Sequence, residues 1–163
     1  MSNDKIVFCD TSFVIRLLDR TSDLHKNALG YFQYFLENDY IIRMSTIAVA
    51  EFCVKDSIEN LPLKQILLSP FNADHANKTG ECARILHEAK SKGVNVVDTR
   101  ILIQNDVKLF AQAECESADY YLTSDGNSKR MYDVLKQNGK LSFDFIDIHN
   151  SYINKFGILD FGE

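Results

Sequence analysis

Four acidic residues stand where carboxylates are unexpected: Asp10, Glu51, Asp106 and Asp125. Asp10 interrupts an apolar stretch, IVFCDTSFVI at 6 to 15, so its side chain is poorly solvated, and burying it unpaired is costly. On a helix turning about 100° per residue, Glu51 falls within about 60° of Ile47, Ala48, Val54 and Ile58, which puts it on the apolar side or its edge. Asp106 is close in angle to Leu109, Phe110 and Ala113. Asp125 directly follows the apolar run YYLTS.

Carboxylates gathered in one place raise each other's pKa unless a counter-charge is present. Divalent cations supply it, and an oxygen-only donor set without histidine suits Mg²⁺ or Mn²⁺, one or two ions, better than zinc. Each acid also has an ordinary explanation. Asp10 fits a helix cap, Asp106 a first-turn acid, Asp125 a turn before Gly126, and Glu51 an i,i+4 ion pair with Lys55.

The elements that must position these residues alternate in type. KIVFC (5–9) reads as a strand, followed by a helix from Thr11 to about Leu18. Thr21 or Ser22 caps an amphipathic helix, DLHKNALGYFQYFLEN, before a strand YIIRM at 40 to 44. Ser45 caps a helix through TIAVAEFCVKDSI. Pro62 and Pro70 bracket LKQILL, read as a short helix; HANKTGECARILHEAKSKG is helical and stopped by Gly93. VNVVD is strand or loop. A helix NDVKLFAQAECES, a strand DYYLTS, a helix NSKRMYDVLKQNG ended by Gly139 and a strand FDFIDI complete the pattern, with FGILDFGE packing on a partner or fraying. Strand and helix alternation predicts a parallel sheet covered on both faces, and the C-terminal ends of such strands are where ligands bind. Asp10 and Asp125 both follow a strand.

The 163 residues, 45% hydrophobic, match one domain with a substantial core. No apolar run approaches the ~20 residues that span a bilayer, and MSNDKIVF lacks the features of a signal peptide, which predicts a cytoplasmic protein with no membrane partner. Cys9, Cys53, Cys82 and Cys115 form no CxxC pair and are expected to be reduced core thiols. A net charge of −5 argues weakly against holding nucleic acid by bulk electrostatics.

IVFCDTSFVIRLL, STIAVAEF, NDVKLFAQAE and YYLTSD, in that order, resemble the four motifs of the PIN-domain ribonucleases, and in particular the VapC-like toxins of toxin–antitoxin pairs. The resemblance covers almost the whole chain. It implies a single PIN-like three-layer α/β domain over 1–163, with a core of about 4–150 and a tail of about 151–163. The central parallel sheet would have four or five strands with helices on both faces. It implies a Mg²⁺- or Mn²⁺-dependent endoribonuclease whose catalytic, metal-binding acids fall on Asp10, Glu51, Asp106 and Asp125. In that reading Asp10 contacts both ions, Glu51 and Asp106 complete one site, and Asp125 helps the other. Two ions about 4 Å apart activate water and neutralise the phosphate; the resemblance implies 5′-phosphate and 3′-hydroxyl products and no histidine base.

Thr11, Ser12, Thr123 and Ser124 match the family's hydroxyl-bearing positions, where such groups orient ligand or phosphate. The chain departs from the family after the last acid, reading DGNSKRM, which gives Asn127 a potential site role. Lys55, Lys108, Lys129 and Arg130 lie near the motifs and are candidate RNA-backbone contacts. His25, His75, His87 and His149 fall outside the motifs and read as surface or core residues. The implied partners are an RNA substrate, an antitoxin and a second copy of the chain; YFQYF (31–35) is a candidate dimer face, although an amphipathic helix packed in the core explains it better.

Four other readings compete. A haloacid-dehalogenase-like phosphatase needs an acid where Ser12 stands, and a receiver domain needs paired acids at the first strand. A non-catalytic PIN-like module for RNA binding or assembly, or a PIN nuclease of RNA processing or turnover, differs from the toxin reading in role and not in fold.

Overall fold

A computed structural model describes residues 4–96 and 105–157 of the chain. Strands β1 (Lys5–Cys9), β2 (Tyr40–Ser45), β3 (Ile66–Ser69), β4 (Tyr120–Thr123) and β5 (Asp144–Asp147) form one parallel sheet in the order β3-β2-β1-β4-β5. Between and after them run α1 (Thr11–Leu18), α2 (His25–Glu37), α3 (Thr46–Phe52), α4 (Ala73–Ser91), α5 (Asn105–Cys115), α6 (Lys129–Gln137) and α7 (Tyr152–Phe156). Helix α2 packs on α1 and α7, while α4 packs on α5 and α6, as right-handed crossovers from a central β1 to either edge require. The centre of the sheet is covered on both sides, and Ile6 to Cys9 are all buried, so β1 reads as an unbroken apolar run.

Local signals set most boundaries. Asp10 caps α1, Ser45 caps α3, and Asn72 with His75 forms a capping box on α4. Gly93 and Gly139, both at positive φ, follow α4 and α6 at the predicted stops. Helix α2 differs, since no side chain caps it; Ser22 Oγ instead accepts from Leu24 N–H just ahead of the helix.

Two elements differ more. LKQILL is not helical: Ile66–Ser69 is an edge strand in register with Ile42–Ser45. The seven residues between Pro62 and Pro70 are too few for a stable helix, whereas a flanking proline is tolerated at a sheet edge. Helix α3 stops at Phe52, six residues early, because Ser57 Oγ takes the Glu59 N–H and Asp56 takes the Ser57 N–H and the Asn60 amide, building a separate turn. Val54 is left 78% exposed. Of VNVVD, residues 94–96 form no regular element and the remainder lies outside the described residues, as do 158–163 of the tail. Cys9 and Cys82 are buried as expected, but Cys53 and Cys115 are exposed.

A polar network fastens β3 and α5 to the sheet. Glu116 accepts from Arg43 at 2.7 Å, Ser69 Oγ at 2.5 Å and Gln112 Nε2 at 2.8 Å. Burial raises the Glu116 pKa, but these donors outweigh it and hold the carboxyl below its ordinary range. YFQYF is core, as the simpler explanation has it: Tyr31 and Phe35 are buried, and Tyr34 stacks on Phe156 of α7 with ring centroids 4.2 Å apart.

Candidate active site

In this strand order the chain leaves β1 towards β2 on one side and meets β4 on the other, so a crevice opens beyond the C-terminal ends of β1 and β4. Asp10 follows β1 and Asp125 lies two residues beyond β4, with Asp10 N–H donating to Leu122 O at 3.1 Å. Glu51 comes from the last turn of α3 and Asp106 from the first turn of α5. A cavity of about 430 Å³ is lined by Asp10, Thr11, Ser12, Ile15, Glu51, Asn105, Asp106 and Asp125.

Asp10 is 5% exposed and well bonded. Its Oδ1 accepts from Phe13 N–H at 2.9 Å and Ser12 Oγ at 2.7 Å; its Oδ2 accepts from Thr123 Oγ1 at 2.5 Å. Ser12 Oγ in turn accepts from Ser124 N–H at 2.8 Å, and Thr123 Oγ1 from Asp125 N–H at 2.9 Å. Each hydroxyl has one hydrogen, and both hydrogens are directed at Asp10. Burial still dominates and pushes the Asp10 pKa up to about 6, with the Asp125 charge adding to it against these hydrogen bonds.

Glu51 makes no ion pair with Lys55 among the described residues. Its Oε2 accepts from Thr11 Oγ1 at 2.6 Å and its Oε1 from the Asn105 side-chain amide. Asp106 receives no hydrogen bond among the described residues; burial, then the charges of Asp10, Asp125 and Glu51, push it up to about 6. Burial, then the charges of Asp10 and Asp106, hold the Tyr121 hydroxyl well above its ordinary range.

The sequence-selected positions therefore separate. Asp10, Glu51, Asp106, Asp125, Thr11 and Ser12 line one cavity. Thr123 lies buried behind Asp10, and Ser12 and Thr11 already donate to carboxylates, so none of the three hydroxyls has a hydrogen left for a phosphate. Ser124 and Asn127 are not in the lining; Asn127 contributes its backbone N–H to Asp125 Oδ1 at 2.9 Å. Lys129 pairs with Asp133 at 2.5 Å. Asn105 was legible only as part of the NDVKLF motif, and nothing in its spacing marked it as the partner that orients Glu51.

The donor chemistry fits a hard divalent cation, with four carboxylates, two of them raised by burial and mutual repulsion, and no sulfur or imidazole in the lining. The acids are not drawn into one coordination sphere, however: among the described residues no three His, Cys, Asp or Glu side chains are grouped to hold an ion as they stand. Both Asp10 oxygens and both Glu51 oxygens accept hydrogen bonds from protein donors.

A five-stranded parallel sheet flanked by helices, with acids gathered beyond β1 and β4, defines a VapC-like PIN-domain fold. Two solved structures carry that likeness. A chain of VapBC2 from Rickettsia felis, bound to a DNA fragment from their promoter, matches with a TM-score of 0.57 and 19% identity, over 86% of this chain and 98% of that one. A chain of DNA-bound VapBC from Salmonella typhimurium matches with a TM-score of 0.53 and 16% identity, over 88% and 98%. No family model matches the chain, and no curated protein matches it significantly.

Proposed function

We propose that the chain is a Mg²⁺- or Mn²⁺-dependent endoribonuclease and the toxin component of a type II toxin–antitoxin pair. The observation that carries this reading is the cavity beyond β1 and β4, lined by acids from four separate parts of the chain. The VapBC assemblies sharing the fold support the toxin role and an antitoxin partner.

In this reading Asp10, Glu51, Asp106 and Asp125 would hold the cation, which when bound would neutralise phosphate charge and lower the pKa of water. Ser12 and Thr123 fix the Asp10 carboxylate, and Thr11 and Asn105 fix Glu51, so each carboxylate is held in a set orientation. Asp106, which receives no hydrogen bond among the described residues, would be the acid with both oxygens available to the cation. No histidine lies in the lining, so the proton of the attacking water passes to a carboxylate or to solvent. Among the described residues no helix is long and apolar enough to cross a membrane, which suits a substrate met in water.

The test is incubation of the purified chain with structured RNA in Mg²⁺ or Mn²⁺, beside EDTA and Asp106→Asn controls. The expected result is cleavage to 5′-phosphate ends in the metal lanes alone, with the variant at least about 100-fold slower. Cleavage that persists in EDTA overturns the metal mechanism; metal binding without cleavage of any RNA favours a non-catalytic module. Co-expression with the product of an adjacent small open reading frame, abolishing cleavage, tests the toxin role.

A further inference from the structure

Helix α1 presents two lines of side chains to two different neighbours. Thr11 and Ile15 face α3, where Thr11 bonds Glu51, while Ser12 bonds Ser124 beyond β4. Arg16, one turn after Ser12, continues the second line and lies on the β4–β5 side. There it lines a second cavity, of about 450 Å³, with Thr21, Ser22, Asp23, Leu24 and His149.

The two basic groups in this cavity are differently prepared. The Arg16 guanidinium makes one long hydrogen bond, to Ser22 Oγ at 3.5 Å, and among the described residues no carboxylate, Asp23 included, lies within 4 Å of it. Most of its donors are uncommitted. His149 is held firmly: Asp147 Oδ1 accepts both its backbone N–H at 3.0 Å and its ring Nδ1–H at 2.6 Å. With Nδ1 engaged by Asp147, Nε2 is the ring nitrogen left for a further partner. Asp147 also abuts the loop after β4, where a Cβ on Gly126 would stand 3.4 Å from Asp147 Oδ2. The pair thus sits at the same sheet edge as the acids, one strand further out.

We propose that Arg16 and His149 form a nucleotide subsite beside the carboxylate cavity: Arg16 binds a backbone phosphate, and His149 Nε2 accepts a hydrogen bond from the ribose 2′-hydroxyl of the adjoining nucleotide. A donor fork next to a fixed acceptor matches a phosphate next to a hydroxyl, and of the two nucleic acids RNA alone carries both at every nucleotide. The subsite would let the chain distinguish RNA from DNA without reading a base. It rests on RNA as the substrate, and it gives His149 a role that its position outside the motifs did not suggest.

The experiment uses the Asp106→Asn full chain, to prevent cleavage, with a labelled single-stranded RNA, the matching DNA, and RNAs carrying a single 2′-deoxy position moved along the strand. Removing one particular 2′-hydroxyl should weaken binding about 3- to 10-fold, the size of one net hydrogen bond. Adding His149→Ala should weaken the all-RNA strand by the same factor, abolish the effect at that position, and leave DNA binding unchanged. Arg16→Ala should weaken RNA and DNA alike, about 10-fold, and flatten the slope of log affinity against log salt by about 0.7. Both residues are exposed, so thermal melts matching the parent show that loss of binding is not loss of fold. Unchanged affinity, salt slope and 2′-deoxy profile in both variants would overturn the subsite while leaving RNA cleavage intact. RNA bound through Arg16 and His149 but never cut by the unsubstituted chain would sustain the subsite and overturn the nuclease; no RNA binding at all overturns both.

Discussion

At the scale of single residues, the chemistry of the cavity turns on hydrogens that are already assigned. Thr123 donates to Asp10 and accepts from Asp125 N–H, so Thr123→Val leaves a buried carboxylate oxygen and a backbone N–H unpaired at once. We expect a loss of about 2 kcal/mol in urea denaturation, larger than a packing change of that size would cause. Asp106 gives the opposite result. Its carboxyl is raised from 3.8 to about 6, so the folded chain binds that proton more tightly than the unfolded chain, and stability falls as pH rises between about 4 and 6. Asp106→Asn removes that loss. Without divalent ions at pH 7 the variant should be more stable by on the order of 2 kcal/mol, melting about 5 °C higher, and the two should converge near pH 4. Millimolar Mg²⁺ should then raise the melting temperature of the parent and leave the variant nearly unmoved.

At the scale of elements, two contacts between distant segments hold the framework. Gly30 interrupts α2 at a cost in helix propensity of about 1 kcal/mol, yet it is where the Tyr152 ring of α7 lies; a Cβ there would come within 2.5 Å of Tyr152 Cδ1. Tyr152 is held against Tyr31 and Tyr34 and cannot easily withdraw. Gly30→Ala should therefore destabilise by about 1 to 3 kcal/mol despite the better helix former, and reduce the near-ultraviolet circular dichroism of the tyrosines. Glu116→Ala leaves Arg43 partly buried without its partner and frees Ser69 of the edge strand; a loss of about 3 kcal/mol is expected in the urea midpoint. The fates of these elements in the sequence were unequal for a physical reason. Asp10, Ser45, Gly93 and Gly139 act on the turn next to them, so their signals are local and readable. β3 exists because β2 offers it an edge, Glu51 points as it does because Asn105 arrives from α5, and Gly30 matters because of a ring 122 positions away. None of these relations leaves a mark within a window of a few residues.

At the scale of the whole molecule, the sheet order is what joins the acids, and four were identifiable beforehand since each sat on a recognisable motif; that they share one cavity without sharing one coordination sphere was not. The order has a further consequence for how such a chain comes into being. β1 is central and is made first, but its neighbour β4 is made more than a hundred residues later, after β2 and β3 of the other side. A growing chain that has emerged only through α4 therefore carries β1 as a bare sheet edge, with Asp10 lacking Thr123 and facing neither Asp106 nor Asp125. The cavity cannot form gradually. It comes into existence when β4 closes against β1, so whatever the site does is withheld from the translating ribosome until the chain through Asp125 has left it.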